Sequence, residues 1–348
     1  TAYGEVMDKR LTVSIEGDEE EARTMEHERK NDEDSDADDS ENELEDVDLD
    51  EGENRRKIKR RQSRVESLNQ KKQKLFLHYP LSVHFLLAMK DKEEVLSITL
   101  NYLPSLGFVT VYGKFNVESN GSIVAGDVIT QDRILCSIYE NDHGNESPNP
   151  KSIYQLQRVQ LNANDLRRIL EEKKLGKPFN WAQRLCGISF SSHLSPAQSM
   201  RLCEETVPDL IRQIRNRLKA RMQLYNQIKS LEIGKMLNVS SMRISCVLQL
   251  FVSLSFNQYS IENCNKRLID QDLTTENDNF YRAIITRGTA KLETYICIPT
   301  DFPTEFPIFT LNLCWNDNKF NADNSPHIRE IEQLVNSIEV ESVDKILT

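Results

Sequence analysis

The sequence predicts an α+β protein in which two antiparallel β-meanders, each followed by helix, stand behind a charged segment that cannot build a core. Three observations carry this. Residues 16–54 hold 21 acidic against 3 basic side chains, and residues 55–74 swing to 10 basic against one acidic. Period-two apolar patterning switches on after Tyr79-Pro80. The same patterning returns after a long amphipathic helix in the second half. The hydrophobic fraction of 38% is low for a chain that is globular throughout, and the charged segment accounts for the deficit. Residues 75–348, with 29 basic and 31 acidic side chains, are close to neutral, so the net charge of −11 belongs to the N-terminal part.

In order along the chain, residues 16–74 read as a disordered linker, acidic and then basic, because like charges repel and little apolar surface offsets ordering entropy. Ser35 and Ser40 each precede an acidic residue by three positions, a pattern acidophilic kinases favour; Ser63 is a further candidate for phosphorylation. Two basic clusters, Arg55, Arg56, Lys57, Lys59, Arg60, Arg61 and then Lys71, Lys72, Lys74, have the layout of a bipartite nuclear import signal. The same stretch lacks interleaved aromatics for base stacking, so it supports only non-specific RNA contact. A first domain is expected over 75–194, its meander formed by "LSVHFLLAM", "VLSITLNYL" and "GFVTVYGKF", followed by a helix starting near Asn162 or Asn164.

A second domain is expected over 195–348. Ser195, Pro196 and Gln198 form a helix start, and Thr206 with Asp209 a second one. Val207, Ile211, Ile214, Leu218, Met222 and Tyr225 share an apolar stripe, which leaves Arg212, Arg215, Arg217, Lys219 and Arg221 for a solvated outer face. Four strands follow, "CVLQLFVSLSF", "YRAIITRG", "KLETYICIP" and "PIFTLNLCW", then the helix "SPHIREIEQLVNSI". Meander plus helix thus occurs twice, as in a weak internal duplication.

Chemistry-bearing patterns are sparse. The six histidines have no metal-ligand spacing, and no C-x-x-C pair occurs among seven scattered cysteines, which read as reduced core thiols. No cofactor or metal is expected. "NDHGN" around His143 reads as an ordinary loop. There is no apolar run of membrane-spanning length and no signal peptide, and a chain opening on Thr1 is expected to be a piece of a longer protein.

"DFPTEFPIF" places Phe302, Pro303, Phe306 and Pro307 between two strands, and prolines there hold a rigid crossing. The order helix, meander, FPxxxP, helix resembles the RWD domain, a relative of ubiquitin-conjugating enzymes marked by a YPxxxP turn; here Phe302 keeps the ring and loses the hydroxyl. A conjugating enzyme needs a thiolate downstream of that turn and an HPN element for the oxyanion. No HPN follows, and Cys314, between Leu313 and Trp315 in a strand pattern, is expected to be buried and inert. The protein is therefore not expected to be an enzyme.

A closer resemblance lies in "LTVSIEGDEEEA", "HYPLSVHFLL", "LSITLNYLPSLGFVTV", "AGDVITQDRILCSIYENDHGNESPNP", "NWAQRLCGISF" and "YRAIITRGTAKLE", which in this order are similar to the THO subunit 5, or Fms-interacting protein, family. That resemblance implies residues 1–15 end a coiled-coil region, followed by the linker and tandem RWD domains. It implies a nuclear scaffold, able to shuttle to the cytoplasm, of the THO/TREX assembly coupling transcription to mRNA export. The implied partners are subunit 7 through the missing coiled coil, subunits 1, 2 and 6, and the mRNA export receptor and adaptor, with no membrane. The other classes kept open are an inactive or unusual ubiquitin-conjugating module and a direct RNA-binding protein.

Overall fold

The structure, a computed structural model, describes residues 11–33, 66, 68–89, 92–115, 127–139, 142–188, 196–234 and 246–337. In chain order its elements are β1 (Leu11–Gly17), α1 (Glu19–Glu33), a helical stretch at 68–75, β2 (Leu81–Met89), β3 (Lys92–Leu103), β4 (Phe108–Phe115), α2 (Gln131–Leu135), α3 (Pro150–Arg158), α4 (Ala163–Glu172), α5 (Asn180–Leu185), α6 (Pro196–Glu232), β5 (Val247–Leu254), α7 (Phe256–Ile261), α8 (Lys266–Asp270), β6 (Asn279–Arg287), β7 (Ala290–Ile298), β8 (Ile308–Trp315), β9 (Asn318–Asn321) and α9 (Pro326–Ser337). The architecture is mixed α+β, with two antiparallel sheets and helices, as expected. Two compact units divide the chain: Thr1–Asn116 with Tyr139–Asp209, and Val117–Ile138 with Leu210–Thr348.

In the first unit the sheet order is β1-β2-β3-β4, one strand more than the three expected. Residues 11–17, assigned from the sequence partly to a coiled-coil end, pair along their length with β2, from Leu11 opposite Leu87 to Gly17 opposite Leu81. Gly17 has φ +138, and a Cβ there would fall 2.0 Å from Pro80 O, so only glycine permits this approach. Residues 19–33, expected in the disordered linker, are helical because Asp18 Oδ1 accepts from the Glu20 and Glu21 N–H groups at 2.8 and 3.0 Å. Acidic residues in the first turn also favour that end electrostatically. Leu11 and Ala22 are buried, and Tyr79 Oη donates to Glu26 Oε1 at 2.9 Å.

The outer edge of β4 is covered as well. Val111 and Lys177 exchange N–H···O bonds of 2.8 and 3.0 Å, and the buried Gln183 amide bonds both Val109 N and Val109 O. Gly176, at φ +86, lets the chain come so close that a Cβ would lie 1.9 Å from Val111 O. Helix α4 starts at Asn162, with Asp165 completing a capping box, which selects between the two starts read from the sequence.

In the second unit the order is β5-β6-β7-β8-β9, so a fifth strand joins the four expected. It arises from a hairpin in which Asn316 and Asp317 adopt positive φ (48 and 61), the geometry of tight two-residue turns. Helices α7 and α8 also interrupt the expected meander, α7 being launched by a Ser255/Gln258 capping box. One sheet face packs Phe251, Tyr281, Ala283, Ile296 and Ile298 against Ala220, Leu224, Tyr225 and Ile228 of α6, with Val128 and Phe302. The other packs Phe280, Tyr295 and Cys297 against Tyr259 and Cys264.

Helix α6 is continuous from Pro196 to Glu232, so the second start expected at Thr206 is not used. Pro208 sits inside it but is exposed, where a carbonyl left without its partner can be solvated. The solvated basic face expected on this helix is also only partly present. Arg212 and Lys219 are exposed and Arg215 is half-buried, but Arg217 and Arg221 are 6% and 0% exposed.

Candidate functional site: the proline turn and its arginine clamp

Between β7 and β8, the stretch 299–307 is a loop bonded both to itself and to neighbouring elements. Phe302 is fully buried, Pro307 is buried, Pro303 half-buried and Phe306 exposed, so the two aromatic positions read together from the sequence are separated: one anchors, one faces solvent. The Phe302-Pro303 bond is cis. Backbone bonds from Phe302 N to Pro299 O (3.2 Å) and Thr304 N to Asp301 O (2.8 Å) fold the loop on itself.

Arg221 reaches this loop from α6. Its Nε donates to Phe302 O at 3.2 Å, its Nη2 to Pro299 O and Thr300 O at 3.1 and 2.7 Å, and its guanidinium lies 5.3 Å from the Phe302 ring centroid. Arg133 of α2 donates to Thr300 Oγ1 at 2.8 Å, and Asp278 accepts from Thr300 N at 2.9 Å. Arg217 donates to the carbonyls of Cys136 and Ser137. Burial, reinforced by repulsion from Arg133 and Arg217, pulls the Arg221 guanidinium down to about 9. Holding its charge in the core therefore costs stability at neutral pH, and the three carbonyl bonds offset that cost. The arrangement shapes and fastens the loop.

Cys314, the cysteine downstream of the turn, lies in β8 as expected, but it is half-buried rather than buried, and its register partners are Lys291 and Lys319. Near the sheet end a strand has fewer covering residues, which the flanking Leu313 and Trp315 did not reveal; Trp315 itself is 51% exposed. The core-thiol reading fits Cys136, Cys264 and Cys297, which are buried; burial pushes Cys264 up to about 11 and Cys297 higher still. Cys186 is exposed and Cys246 half-buried, so the reading does not extend to them.

In the first unit, the segment around His143 is a loop whose residues fasten helices. Asp142 accepts from Asn180 N and Trp181 N at 2.9 Å each, capping α5. Asn149 caps α3 through Lys151 N and donates to Leu106 O at 3.0 Å, tying that helix to the β3–β4 turn. These interactions give "DHG" and "PNP" a structural reason. Asn149 could have been found as a short polar residue just before Pro150 and the apolar periodicity of α3, whereas Asp142, which caps a helix 38 residues further on, carries no such local signal.

Lys71, Lys72 and Lys74 lie on the helical stretch 68–75, whereas Arg55, Arg56, Lys57, Lys59, Arg60 and Arg61, with Ser35, Ser40 and Ser63, lie outside the described residues. Among the described residues no group of three or more His, Cys, Asp or Glu could hold a metal ion, and no helix is long and apolar enough to cross a membrane.

These features define a class: an α+β protein of two sheet-and-helix units whose conspicuous polar constellation braces a loop. The model of the Fms-interacting protein/Thoc5 family matches residues 1–190. The chain is 32% identical to the THO complex subunit 5 homolog of Danio rerio over 351 residues, covering 98% of this chain and 49% of the relative. It is 32% identical to THO complex subunit 5 of Homo sapiens over 349 residues, 97% of this chain and 48% of that protein. The chain belongs to the Fms-interacting protein/Thoc5 family, and it spans about half the length of the curated relatives it matches.

Proposed function

We propose that this chain is the tandem RWD portion of a THO subunit 5, a non-enzymatic nuclear scaffold in the THO/TREX assembly that couples transcription to mRNA packaging and export. The similarity over 97% of the chain to a protein named THO complex subunit 5 carries this reading. In the second unit, helix, antiparallel meander, proline turn and C-terminal helix support the RWD assignment. On this reading its partners are THO subunits 1, 2 and 6 and the mRNA export receptor and adaptor, with subunit 7 bound through a coiled coil preceding these residues. The Phe302–Pro307 turn serves shape, Arg55–Arg61 with Lys71–Lys74 serve import, and Ser35, Ser40 and Ser63 accept phosphate.

Co-expression of the tagged chain with subunits 1, 2 and 6 tests the scaffold reading. At least one of them should co-purify with the tagged chain through gel filtration. Elution of the folded chain free of all three would overturn the proposal. A thioester formed with activated ubiquitin and abolished by Cys314→Ser would replace it with the conjugating-enzyme reading.

A further inference from the structure

Three helical segments of the first unit share one apolar cluster: the stretch 68–75 through Leu68 and Leu75, α3 through Leu156, and α4 through Leu166 and Leu170. The first two meet at the β3–β4 turn. Ser105 Oγ donates to Lys74 O at 3.4 Å, and Asn149, the cap of α3, donates to Leu106 O. The end of one helical stretch and the start of the next thus flank a single short turn. Because Leu68, Lys72 and Leu75 make the inward stripe, Lys71 and Lys74 point outward; because Ser152 and Leu156 do so in α3, Lys151, Tyr154 and Arg158 lie together on its open side. Lys71, Lys74, Lys151 and Arg158 are exposed, and none forms an ion pair with a described carboxylate. In α4, by contrast, Arg167 pairs with Glu171 and Arg168 with Asp165. Tyr154 is 65% exposed.

We propose that this surface binds single-stranded RNA, with Lys71, Lys74, Lys151 and Arg158 on the phosphates and Tyr154 stacked against a base. Uncompensated cations on both sides of a rigid turn suit a polyanion. An exposed tyrosine one helical turn from Lys151 and from Arg158 suits a polyanion that carries bases, and so favours RNA over an acidic peptide. Residues 55–74 alone lack such a ring; the fold brings one to them from α3.

Fluorescence anisotropy of the full chain with an oligouridylate of about 15 nucleotides, long enough for one such surface, tests this. Arg55, Arg56, Lys57, Lys59, Arg60 and Arg61 are changed to alanine in the parent, so that they contribute nothing. Changing Lys71, Lys74, Lys151 and Arg158 together to glutamine should weaken binding about tenfold or more and reduce the salt slope by about 2 to 3, at about 0.7 per single-strand phosphate contact. Tyr154→Ala should weaken binding about fivefold or more at an unchanged salt slope. The proposal is overturned if the parent does not bind, or if the glutamine variant, with unaltered circular dichroism, binds as well as the parent. It is also overturned if Tyr154→Ala is silent while poly-glutamate displaces the RNA, which would mark the surface as a site for acidic peptide.

Discussion

Arg221 is a charge placed where a hydrophobe would be expected, and its effect is local: it pairs with the carbonyls of Phe302, Pro299 and Thr300, of which Pro299 O also accepts from Phe302 N within the loop. Arg221→Met should cost about 2–4 kcal/mol in urea unfolding, because the carbonyls of Pro299, Thr300 and Phe302 would lose those bonds inside the core; an unchanged midpoint would show that the clamp is dispensable. Phe302→Ala should cost about 3–5 kcal/mol, whereas Phe306→Ala, on an exposed ring, should stay within about 0.5 kcal/mol. Position, not residue type, makes Arg221 internal. Leu218, Arg221, Leu224, Tyr225 and Ile228 recur every three or four residues, so Arg221 occupies the apolar stripe itself, and a reading that assigns all arginines to the wet face misses it. The proline pair was legible because rigidity is written in residue type.

At the scale of elements, strand edges explain several residues that periodicity alone does not. Where β9 ends, α9 takes over the open edge of β8: Asn336 exchanges bonds with Phe309 N and O at 2.8 Å each, and the buried Glu332 accepts from Leu311 N at 2.9 Å and pairs with Arg267. Across β6 and β7, Glu293 accepts from Lys291 and Arg282 at 2.6 and 2.8 Å. Burial pushes its carboxyl up, but those two bonds outweigh it and the group sits below the ordinary carboxylate range. A carboxyl depressed in the folded state stabilises above the unfolded value, and that contribution is lost as pH falls through the folded one. Glu293→Gln should therefore flatten the loss of stability in acid, seen as a smaller fall in melting temperature from pH 5 to pH 3 than in the parent; parallel curves would exclude the effect. The strands β2 to β4 were legible because apolar residues alternate there. Strand β1 was not, since "LTVSIEG" adjoins an acidic run whose composition dominates any window that includes it, and its ordering comes from β2, more than 60 residues away.

The molecule as a whole is two units that share the chain unevenly. Residues 127–138 lie between strands and helices of the first unit yet belong to the second, where Val128 is fully buried, Arg133 bonds Thr300, and the Cys136 and Ser137 carbonyls receive Arg217. A boundary at residue 195, natural from the linear pattern, therefore removes part of the second core. Residues 195–348 produced alone should bind a hydrophobic dye and melt about 4–8 °C below the same segment with residues 127–138 attached, a difference of about one to two kcal/mol in a domain this size. Equal melting would mean that the inserted segment adds nothing.

During synthesis this interleaving sets a waiting time. Val128 leaves the ribosome about 170 residues before Phe302, a ring of the same core cluster, and at about 5–20 residues per second that interval is roughly 10 to 35 seconds. For that period the nascent chain carries Val128 and its apolar neighbours without the core that later covers them.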